Sequence, residues 1–329
     1  MRYLVTGGLG FIGSHFIEGL LNDDTTESII NIDKCTYASN KLFKPDDPRY
    51  KLWQEDIGST DAIKKLDCEF DIVVNFASHS HVDNSIEKPS DFLQNNIECF
   101  FNFLNLCSKW QTVGKIGKFV HISTDEVFGD TEDSTYNYFI EGSNLRPSSP
   151  YSASKASQEM FIHMARKMFG LNANILRFCN NYGPRQFEEK FIPVVIKNIL
   201  NNNKIPVYGD GKQRREWIYV KDAVKRIKMI ATKSDDTDDY CIGSGELKTN
   251  LDIIKTINDL TGRLSDGNIQ FVPDRVGHDR TYKMDSRKFN YQYKEAQVGD
   301  LPLKEGLKKT LQYFEKSPTH TSATQGASC

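Results

Sequence analysis

The first half of the chain alternates short apolar runs, rich in β-branched residues, with longer segments that repeat apolar residues at helical spacing. The short runs predict strands over residues 3–6, 28–33, 71–76, 118–123 and 174–178. The longer segments predict helices over residues 11–21, 92–110 and 151–169. Strands that alternate with helices are typical of a parallel sheet with helices on both faces. We therefore predict an α/β fold built on a doubly wound parallel sheet.

The pattern changes near residue 180, where turns rich in Asn, Gly, Pro and Arg begin to interrupt it. We interpret residues 1–180 as one domain and residues 181–316 mainly as a smaller α/β lobe, with the chain returning to the first domain around residues 216–245. The last stretch, residues 317–329, is small and polar without periodicity, which predicts a flexible tail.

Composition and charge narrow the function classes. The chain has 329 residues, a net charge of −2 and 38% hydrophobic residues, which argues against disorder and against broad attraction to nucleic acid or membranes. The seven cysteines include no C-x-x-C pair, so neither a disulfide framework nor a zinc site is predicted. The first apolar run is too short for a signal segment, and no later run reaches membrane-spanning length. We expect a cytoplasmic protein with reduced thiols.

A glycine-rich segment, Gly7-Gly-Leu-Gly10-Phe-Ile-Gly13, joins the first predicted strand to the first predicted helix. Glycines at such a turn let backbone amides approach a diphosphate at the helix N-terminus, where the helix dipole favours negative charge. Glycine-rich turns also occur for packing alone, but the position after an N-terminal strand favours binding. The segment predicts a Rossmann-type dinucleotide site.

Asp33 ends the second predicted strand, twenty residues after Gly13. A carboxylate there can accept hydrogen bonds from both hydroxyls of an adenosine ribose, and its charge repels a 2′-phosphate. The alternative is that Asp33 only caps a turn. Together with the glycines, it predicts NAD as the cofactor in preference to NADP.

A Tyr-x-x-x-Lys pair occurs three times, and context selects Tyr151 and Lys155. Tyr151 follows Pro147-Ser-Ser-Pro150, a natural helix entry, so a spacing of four places both side chains on one helical face. A neighbouring ammonium lowers the pKa of a phenol, which can then accept the proton of an alcohol during hydride transfer.

Thr124, Asp125 and Glu126 directly follow the fourth predicted strand. Thr124 could hold the reacting hydroxyl, although hydrogen bonding at a strand end is about as common. Once a sugar carbon is a ketone, one carboxylate can remove the neighbouring C–H proton while a second carboxyl protonates a departing hydroxyl. Paired acids are often a solvated turn, but beside Tyr151 and Lys155 they indicate loss of water.

These residues resemble the extended short-chain dehydrogenase/reductases, and among them the nucleotide-sugar 4,6-dehydratases that act on dTDP-glucose or UDP-glucose. The resemblance runs from Gly7 to about Asp285. Its further motifs are Tyr37-Ala-Ser-Asn40, Ser80-His-Val-Asp-Asn-Ser85, Asn180-Asn-Tyr-Gly-Pro184, Glu189-Lys-Phe-Ile-Pro193, Pro206-Val-Tyr-Gly-Asp-Gly211 and Asp274-Arg-Val-Gly-His-Asp279.

The resemblance implies oxidation of the glucosyl C4 by NAD, loss of water across C5–C6 and return of hydride to C6. The product is a 4-keto-6-deoxy-glucose nucleotide, a step towards deoxysugars such as rhamnose. In this chain Tyr151 would be the C4 base, assisted by Lys155 and Thr124. Glu126 would take the C5 proton, and Asp125 would protonate the departing C6 hydroxyl.

The resemblance also implies two sets of binding residues. The NAD contacts would be Gly7, Gly10, Phe11, Ile12, Gly13, Asp33, Lys34, Thr36, Asp56, Ile57, Phe76, Ala77, Ser78, Asn95, Tyr151 and Lys155. The nucleotide-sugar contacts would be Ser80, Thr124, Asn181, Lys190, Phe191, Pro206, Tyr208, Arg215, Asn250, Arg275 and His278. Among these, Arg215 and Asn250 match diphosphate contacts, and a guanidinium fork suits phosphate oxygens. A solvated basic turn is the alternative for Arg215.

Four positions depart from the family pattern: His79 replaces Glu, Phe128 replaces Tyr, Cys179 replaces Ser and Val276 replaces Pro. The proposed catalytic groups are all retained. His79 and His81 lack a third ligand, so no metal site is predicted.

Three alternatives remain in view: a nucleotide-sugar 4-epimerase, a UDP-glucuronate decarboxylase and a catalytically silent NAD-binding protein. Neither epimerisation nor decarboxylation needs Asp125 and Glu126 together. A silent protein has no chemical reason to retain all five catalytic groups, Thr124, Asp125, Glu126, Tyr151 and Lys155.

The helices over residues 92–110 and 151–169 are apolar on more than one face, which predicts a homodimer through four helices. The pocket motifs do not distinguish dTDP from UDP.

Overall fold

The computed structural model describes residues 1–133, 137–234, 236–263 and 268–316. The tail predicted over residues 317–329 lies outside the described residues. The strands are β1 (Arg2–Thr6), β2 (Ser28–Asp33), β3 (Tyr50–Gln54), β4 (Phe70–Asn75), β5 (Ile116–Thr124), β6 (Ala173–Phe178), β7 (Asn180–Tyr182), β8 (Ile205–Tyr208), β9 (Arg214–Tyr219), β10 (Asp239–Ile242), β11 (Leu247–Thr249) and β12 (Ile269–Val272).

The α-helices are α1 (Phe11–Leu21), α2 (Thr60–Ile63), α3 (Val82–Glu87), α4 (Pro89–Phe92), α5 (Phe100–Thr112), α6 (Pro150–Phe169), α7 (Phe191–Leu200), α8 (Val220–Lys233), α9 (Asn250–Thr261), α10 (Arg287–Gln292) and α11 (Leu303–Lys316). A π-helical segment spans Leu93–Cys99. Short 3-10 turns span Asp125–Phe128, Thr131–Asp133 and Lys294–Gln297.

Seven strands form one entirely parallel sheet in the order β10-β6-β5-β4-β1-β2-β3. The central strands are buried on both faces, which is why they appear in the sequence as continuous apolar runs. One core cluster packs α1 and α8 against the sheet, and a second packs α5 and α6 against the other face. The predicted doubly wound α/β fold is confirmed.

The order of the strands creates a crevice at one edge of this sheet. From β1 the chain moves outward through β2 and β3, then crosses back to β4 and continues in the other direction through β5 and β6. In open parallel sheets of this kind, ligands bind at the carboxyl ends of the strands where the order reverses. That point lies between the ends of β1 and β4.

The single α-helix predicted over residues 92–110 is wrong in detail, because the segment divides into the end of α4, the π-helical segment and α5. The π-helical segment buries Asn95 and Asn96. Asn96 accepts a hydrogen bond from the His79 amide at 2.8 Å and donates to the His79 carbonyl at 2.9 Å. The wider turn lets these polar side chains face inward, which the apolar periodicity alone does not indicate.

The second lobe has a core of its own. A three-stranded sheet, β11-β9-β7, and a two-stranded sheet, β12-β8, pack with α7, α9 and α11 around a separate apolar cluster. The sequence predicted a smaller α/β lobe here but did not locate its individual helices. Within the lobe region, α8 packs on α1 and β10 pairs with β6, so this part of the chain completes the main sheet.

Membrane-spanning helices and metal-binding clusters are both absent from the described residues. Within those residues, no helix is both long and apolar enough to cross a membrane. The same part of the chain holds no group of three or more His, Cys, Asp or Glu side chains placed to bind a metal ion.

Candidate active site

A cavity of about 340 Å³ opens at the carboxyl edge of the main sheet. Every residue predicted from the sequence to contact the cofactor lines this cavity, and so do Thr124, Asp125, Glu126, Tyr151 and Lys155. Segments far apart in the chain therefore meet in one place.

The glycine turn between β1 and α1 has a backbone that leaves no room for side chains, so that a ligand can approach it closely. Gly7 has a φ of 68°, and a Cβ there would lie 2.7 Å from the Ala77 nitrogen. A Cβ on Gly13 would lie 2.5 Å from the Gly7 carbonyl oxygen. Among the described residues, no side chain caps the start of α1 at Gly10. The first amides of this helix therefore point into the cavity without a side-chain acceptor, as an anion-binding helix N-terminus requires.

Asp33 is buried where β2 ends and lines the cavity. One of its carboxylate oxygens accepts from the Leu9 amide at 2.9 Å, and the other accepts from the Cys35 amide at 2.8 Å. The contact with Cys35 is the turn cap considered as an alternative. Asp33 thus stabilises the loop after β2 and also presents a carboxylate to the cavity.

Thr124 organises the turn after β5. Its hydroxyl oxygen accepts from the Glu126 amide at 3.3 Å and so caps the 3-10 turn that begins at Asp125. The same hydroxyl lies 3.2 Å from Oδ1 of Asp125 and also hydrogen-bonds to the phenol of Tyr151. A hydroxyl, two carboxyl groups and a phenol are thereby brought together.

The two carboxyl groups have different surroundings. Asp125 is 3% exposed, and its Oδ2 has no hydrogen-bond partner among the described residues. Burial, and then the neighbouring charge of Glu126, raises the pKa of Asp125 well above its ordinary value. Burial also raises the pKa of Glu126, but Arg275, Lys190 and Arg215 oppose that shift. The cations favour a charged Glu126 beside a protonated Asp125.

Tyr151 and Lys155 both line the cavity from α6, as their spacing predicts. Burial, followed by the charges of Glu126 and Asp125, raises the pKa of Tyr151 above its ordinary value. Nζ of Lys155 donates instead to the Ile122 carbonyl and to Oε1 of Gln158, both at 2.7 Å. The expected lowering of the Tyr151 pKa by Lys155 is therefore absent from this state, because acceptors on β5 and α6 hold the ammonium.

The predicted nucleotide-sugar contacts fall into two groups. Four of them line the cavity: Ser80, Thr124, Asn181 and Lys190. The others lie outside the cavity lining, in the second lobe: Phe191, Pro206, Tyr208, Arg215, Asn250, Arg275 and His278. The solvated turn considered for Arg215 is wrong, because Arg215 is 5% exposed on β9 and its guanidinium stacks 4.1 Å from the Tyr282 ring centroid.

Several contacts join the second lobe to the rim of the cavity. Lys190 donates to the Ser80 carbonyl at 2.6 Å. The Tyr208 hydroxyl lies 3.3 Å from one carboxylate oxygen of Asp83, and Arg275 lies 3.5 Å from the other. Asp83 on α3 therefore holds two predicted nucleotide contacts near the mouth of the cavity.

Other lining residues were not predicted as contacts. They include His79, Asn180, Gln186 and Phe187. Nε2 of His79 and Oε1 of Gln186 are buried without a partner among the described residues. Gln186 follows Arg185, which has a left-handed φ of 65°. A left-handed backbone at a residue other than glycine can indicate a functional turn, but this conformation of Arg185 is not visible in the sequence.

Comparisons with known proteins agree with this geometry. Residues 4–305 match the family described as GDP-mannose 4,6 dehydratase. A dTDP-glucose 4,6-dehydratase of Salmonella typhimurium is 37% identical over 340 residues, covering 95% of this chain and 92% of the relative.

Solved structures extend the likeness to the fold. DesIV, a dTDP-glucose 4,6-dehydratase of Streptomyces venezuelae crystallised with NAD, matches with a TM-score of 0.89 and 34% identity, covering 96% of this chain and 98% of that one. A UDP-glucuronic acid 4-epimerase of Bacillus cereus matches with a TM-score of 0.85 but 28% identity, covering 96% and 99%. The fold is thus shared with epimerases, whereas the sequence is nearer to the dehydratases. The chain belongs to the nucleotide-sugar 4,6-dehydratase family of the extended short-chain dehydrogenase/reductases.

Proposed function

We propose that this chain is an NAD-dependent hydro-lyase that converts dTDP-glucose or UDP-glucose to the 4-keto-6-deoxy-glucose nucleotide. The observation that carries the proposal is the buried Asp125 beside Glu126, in the cavity that also holds Tyr151 and the glycine turn. An epimerase or a decarboxylase has no use for a protonated acid next to a charged carboxylate. Dehydration needs both.

The residues around the cavity fit NAD. The uncapped start of α1 and the space that a Cβ on Gly7 or Gly13 would fill suit a diphosphate, and Asp33 offers a carboxylate to a ribose. When bound, NAD accepts a hydride and later returns it.

The side chains of this chain would handle the protons. Tyr151 would accept the proton of the C4 hydroxyl, while Thr124 holds that hydroxyl in line. Glu126 would remove the C5 proton, made acidic by the ketone at C4. Asp125 would give its proton to the C6 hydroxyl, which leaves as water. Glu126 would return its proton to C5 as C6 is reduced, so the ketone at C4 remains in the product. The proton gained by Tyr151 would replace the one that Asp125 gave to the departing water, which restores both groups for the next cycle.

Turnover of dTDP-glucose and of UDP-glucose, each read as formation of the 4-keto-6-deoxy product, tests this proposal. We expect product from at least one of them without added reduced cofactor, because oxidation and reduction balance within one cycle. Conversion of a UDP-sugar only to its C4 epimer would contradict the proposal. The ratio of kcat/KM for the two substrates gives the nucleotide preference, for which a single methyl contact supplies about 1–3 kcal/mol.

We also propose that two copies pair through the outer faces of α5 and α6. Large apolar side chains are exposed there, including Leu93 at 59% and Met160 at 50%. The rings of Phe101 and Phe161 pack between the two helices with centroids 4.7 Å apart. We name the apolar surface formed by the exposed Leu93, on the π-helical segment, the exposed Met160 and the half-buried Phe101 and Phe161 the α5–α6 patch. Exposed apolar side chains beside paired aromatic rings are typical of a protein interface, and two such helix pairs would form a four-helix bundle.

A further inference from the structure

Three polar side chains cross the apolar centre of the main sheet in one row. Thr6, Asn75 and His121 are register partners on β1, β4 and β5, and all three are fully buried. The row on the same face two residues earlier is apolar and consists of Leu4, Val73 and Phe119. Buried polar groups are unfavourable unless each is hydrogen-bonded, so this polar row calls for a physical explanation.

The polar row is hydrogen-bonded from end to end. The Thr6 hydroxyl donates to Oδ1 of Asn75 at 2.6 Å, and the Asn75 amide lies 3.1 Å from Nδ1 of His121. Nε2 of His121 lies 3.2 Å from Nζ of Lys155. The row therefore begins at the residue before Gly7 and ends at Lys155, and both Gly7 and Lys155 line the cavity.

Lys155 has three acceptors, two on β5 and one on its own helix α6. Its ammonium has three hydrogens, and the acceptors are the Ile122 carbonyl, Oε1 of Gln158 and Nε2 of His121. The carbonyl is fixed by the strand, and Gln158 is fixed by its own donation to the Asn96 carbonyl at 2.7 Å. The contact with His121 is the longest of the three, and it is the one whose acceptor depends on a tautomer.

We propose that His121 is a positioning residue that holds the Lys155 ammonium through Nε2, while Asn75 and Thr6 fix the tautomer and orientation of its ring. Nε2 can accept only when the imidazole is neutral with its hydrogen on Nδ1. The side-chain amide of Asn75 meets Nδ1 and must turn its oxygen to that N–H, in which case its NH2 group faces the Thr6 hydroxyl and the Thr6 oxygen accepts from it. This inference rests on the proposed function, with Lys155 assisting Tyr151 and contacting NAD as the family resemblance implies.

The charges around the pair keep the imidazole neutral. Burial, and then the charges of Lys155 and Arg166, lowers the pKa of His121 well below its ordinary value. The other elements packed against His121 present uncharged groups to it, Ile175 from β6 and Phe100 from α5. Burial lowers the pKa of Lys155 to about 7, and Glu159 acts in the opposite direction. Because this pKa lies near neutral pH, the gain or loss of one hydrogen-bond acceptor changes the fraction of Lys155 that is charged there.

A matched pair of substitutions separates positioning from folding. In His121→Gln the longer amide reaches the position of Nε2 and can still accept from Lys155, whereas in His121→Asn the amide reaches only the position of Nδ1. Affinities for NAD⁺ and for ADP are measured for both variants between pH 6 and 9 (roughly one to two units either side of the Lys155 value), together with kcat/KM for dTDP-glucose. ADP lacks the nicotinamide riboside, so it reports on the Asp33 end of the site alone.

We expect His121→Asn to weaken NAD⁺ binding by about tenfold to a hundredfold, the range for one lost hydrogen bond to a charged group, while ADP binding is unchanged. Loss of the acceptor disfavours the ammonium, so NAD⁺ affinity should begin to fall at a lower pH than in the wild type. His121→Gln should restore both properties.

Two results would overturn the assignment. One is an Asn variant with wild-type NAD⁺ affinity and pH dependence, and the other is an equal loss of NAD⁺ and ADP binding in both variants, which indicates a purely structural role. If wild-type protein converts neither dTDP-glucose nor UDP-glucose but the NAD⁺ effect is present in the Asn variant alone, the positioning role stands and the proposed substrate fails.

Discussion

At the scale of single residues, Asp125 and Glu126 are adjacent in the chain but differ in solvation. Asp125 is almost completely buried, and its Oδ2 has no hydrogen-bond partner among the described residues. Glu126 is half-buried and interacts electrostatically with Arg275, Lys190 and Arg215 of the second lobe. Neighbouring acids can divide acid and base roles only if their surroundings separate their proton affinities. The turn capped by Thr124 provides that separation.

Glu126→Gln should stop dehydration after the first oxidation. A general base contributes roughly 10²–10⁴ to the rate, so product formation should fall by about that factor. Reduced cofactor should accumulate with dTDP-glucose, seen as its absorbance, because Tyr151 is intact. Glu87→Gln, an exposed glutamate on α3, serves as the matched control and should keep wild-type turnover. Normal product formation by Glu126→Gln would exclude this residue as the base.

Asp125→Asn should stabilise the fold at high pH. Because the pKa of Asp125 is raised in the folded protein, its contribution to stability is complete below its unfolded value and is lost as the pH rises through the folded value. The free energy of unfolding of the variant relative to that of the wild type should therefore rise from pH 5 to pH 8. The rise should be about 1.4 kcal/mol for each unit by which the pKa of Asp125 is raised within that range. Urea unfolding at both pH values measures this difference. Asp61→Asn should show no such change between pH 5 and 8, because Lys64 lowers the pKa of Asp61 and this carboxyl is charged throughout that range.

Residues within local motifs could be predicted from the sequence, whereas residues joined by strand register could not. Gly7, Asp33 and Tyr151 each stand in a short pattern with a physical meaning, and all line the cavity. Asn75 and His121 looked like ordinary strand residues. Their role depends on being opposite each other in the sheet, which is set by the packing of the whole domain.

At the scale of elements, the π-helical segment between α4 and α5 links the main sheet to α6. Asn96 in this segment bonds to both backbone groups of His79 and donates to the Ser154 hydroxyl at 2.9 Å. One side chain therefore ties the loop after β4 to the helix that carries Tyr151. The sequence predicted a helix here correctly in type, but not this widening, because the apolar residues continue through it.

Asn96→Ala should lower the free energy of unfolding by more than the loss of so small a side chain would suggest. It leaves the His79 amide without its acceptor, which costs about 1–3 kcal/mol, and leaves the His79 carbonyl with only the Ser78 hydroxyl as a donor. It also opens a small cavity. The free energy of unfolding in urea should fall by at least that amount. Asn102→Ala, an exposed asparagine on α5, should change it by less than about 0.5 kcal/mol. Equal stability of the two variants would show that the Asn96 contacts are dispensable.

At the scale of the whole molecule, the α5–α6 patch predicts the oligomeric state. Met160→Glu places a charge within the patch, where a second copy would have to bury it, so the variant should sediment as a monomer at micromolar concentration while the wild type sediments as a dimer. Leu42→Glu, at a site 75% exposed and outside the patch, should leave the dimer intact. A monomeric wild type would refute the proposed interface.

The position of β10 has a consequence for synthesis of the chain. The strand β6 is complete once Phe178 has been synthesised, but its edge partner β10 begins only at Asp239. At about 5–20 residues per second, a ribosome needs several seconds to supply that partner. During this interval β6 presents an unpaired apolar edge, the kind of surface that recruits other strands. Cotranslational chaperones should therefore contact nascent chains most strongly after β6 has emerged and release them once β10 has closed the edge.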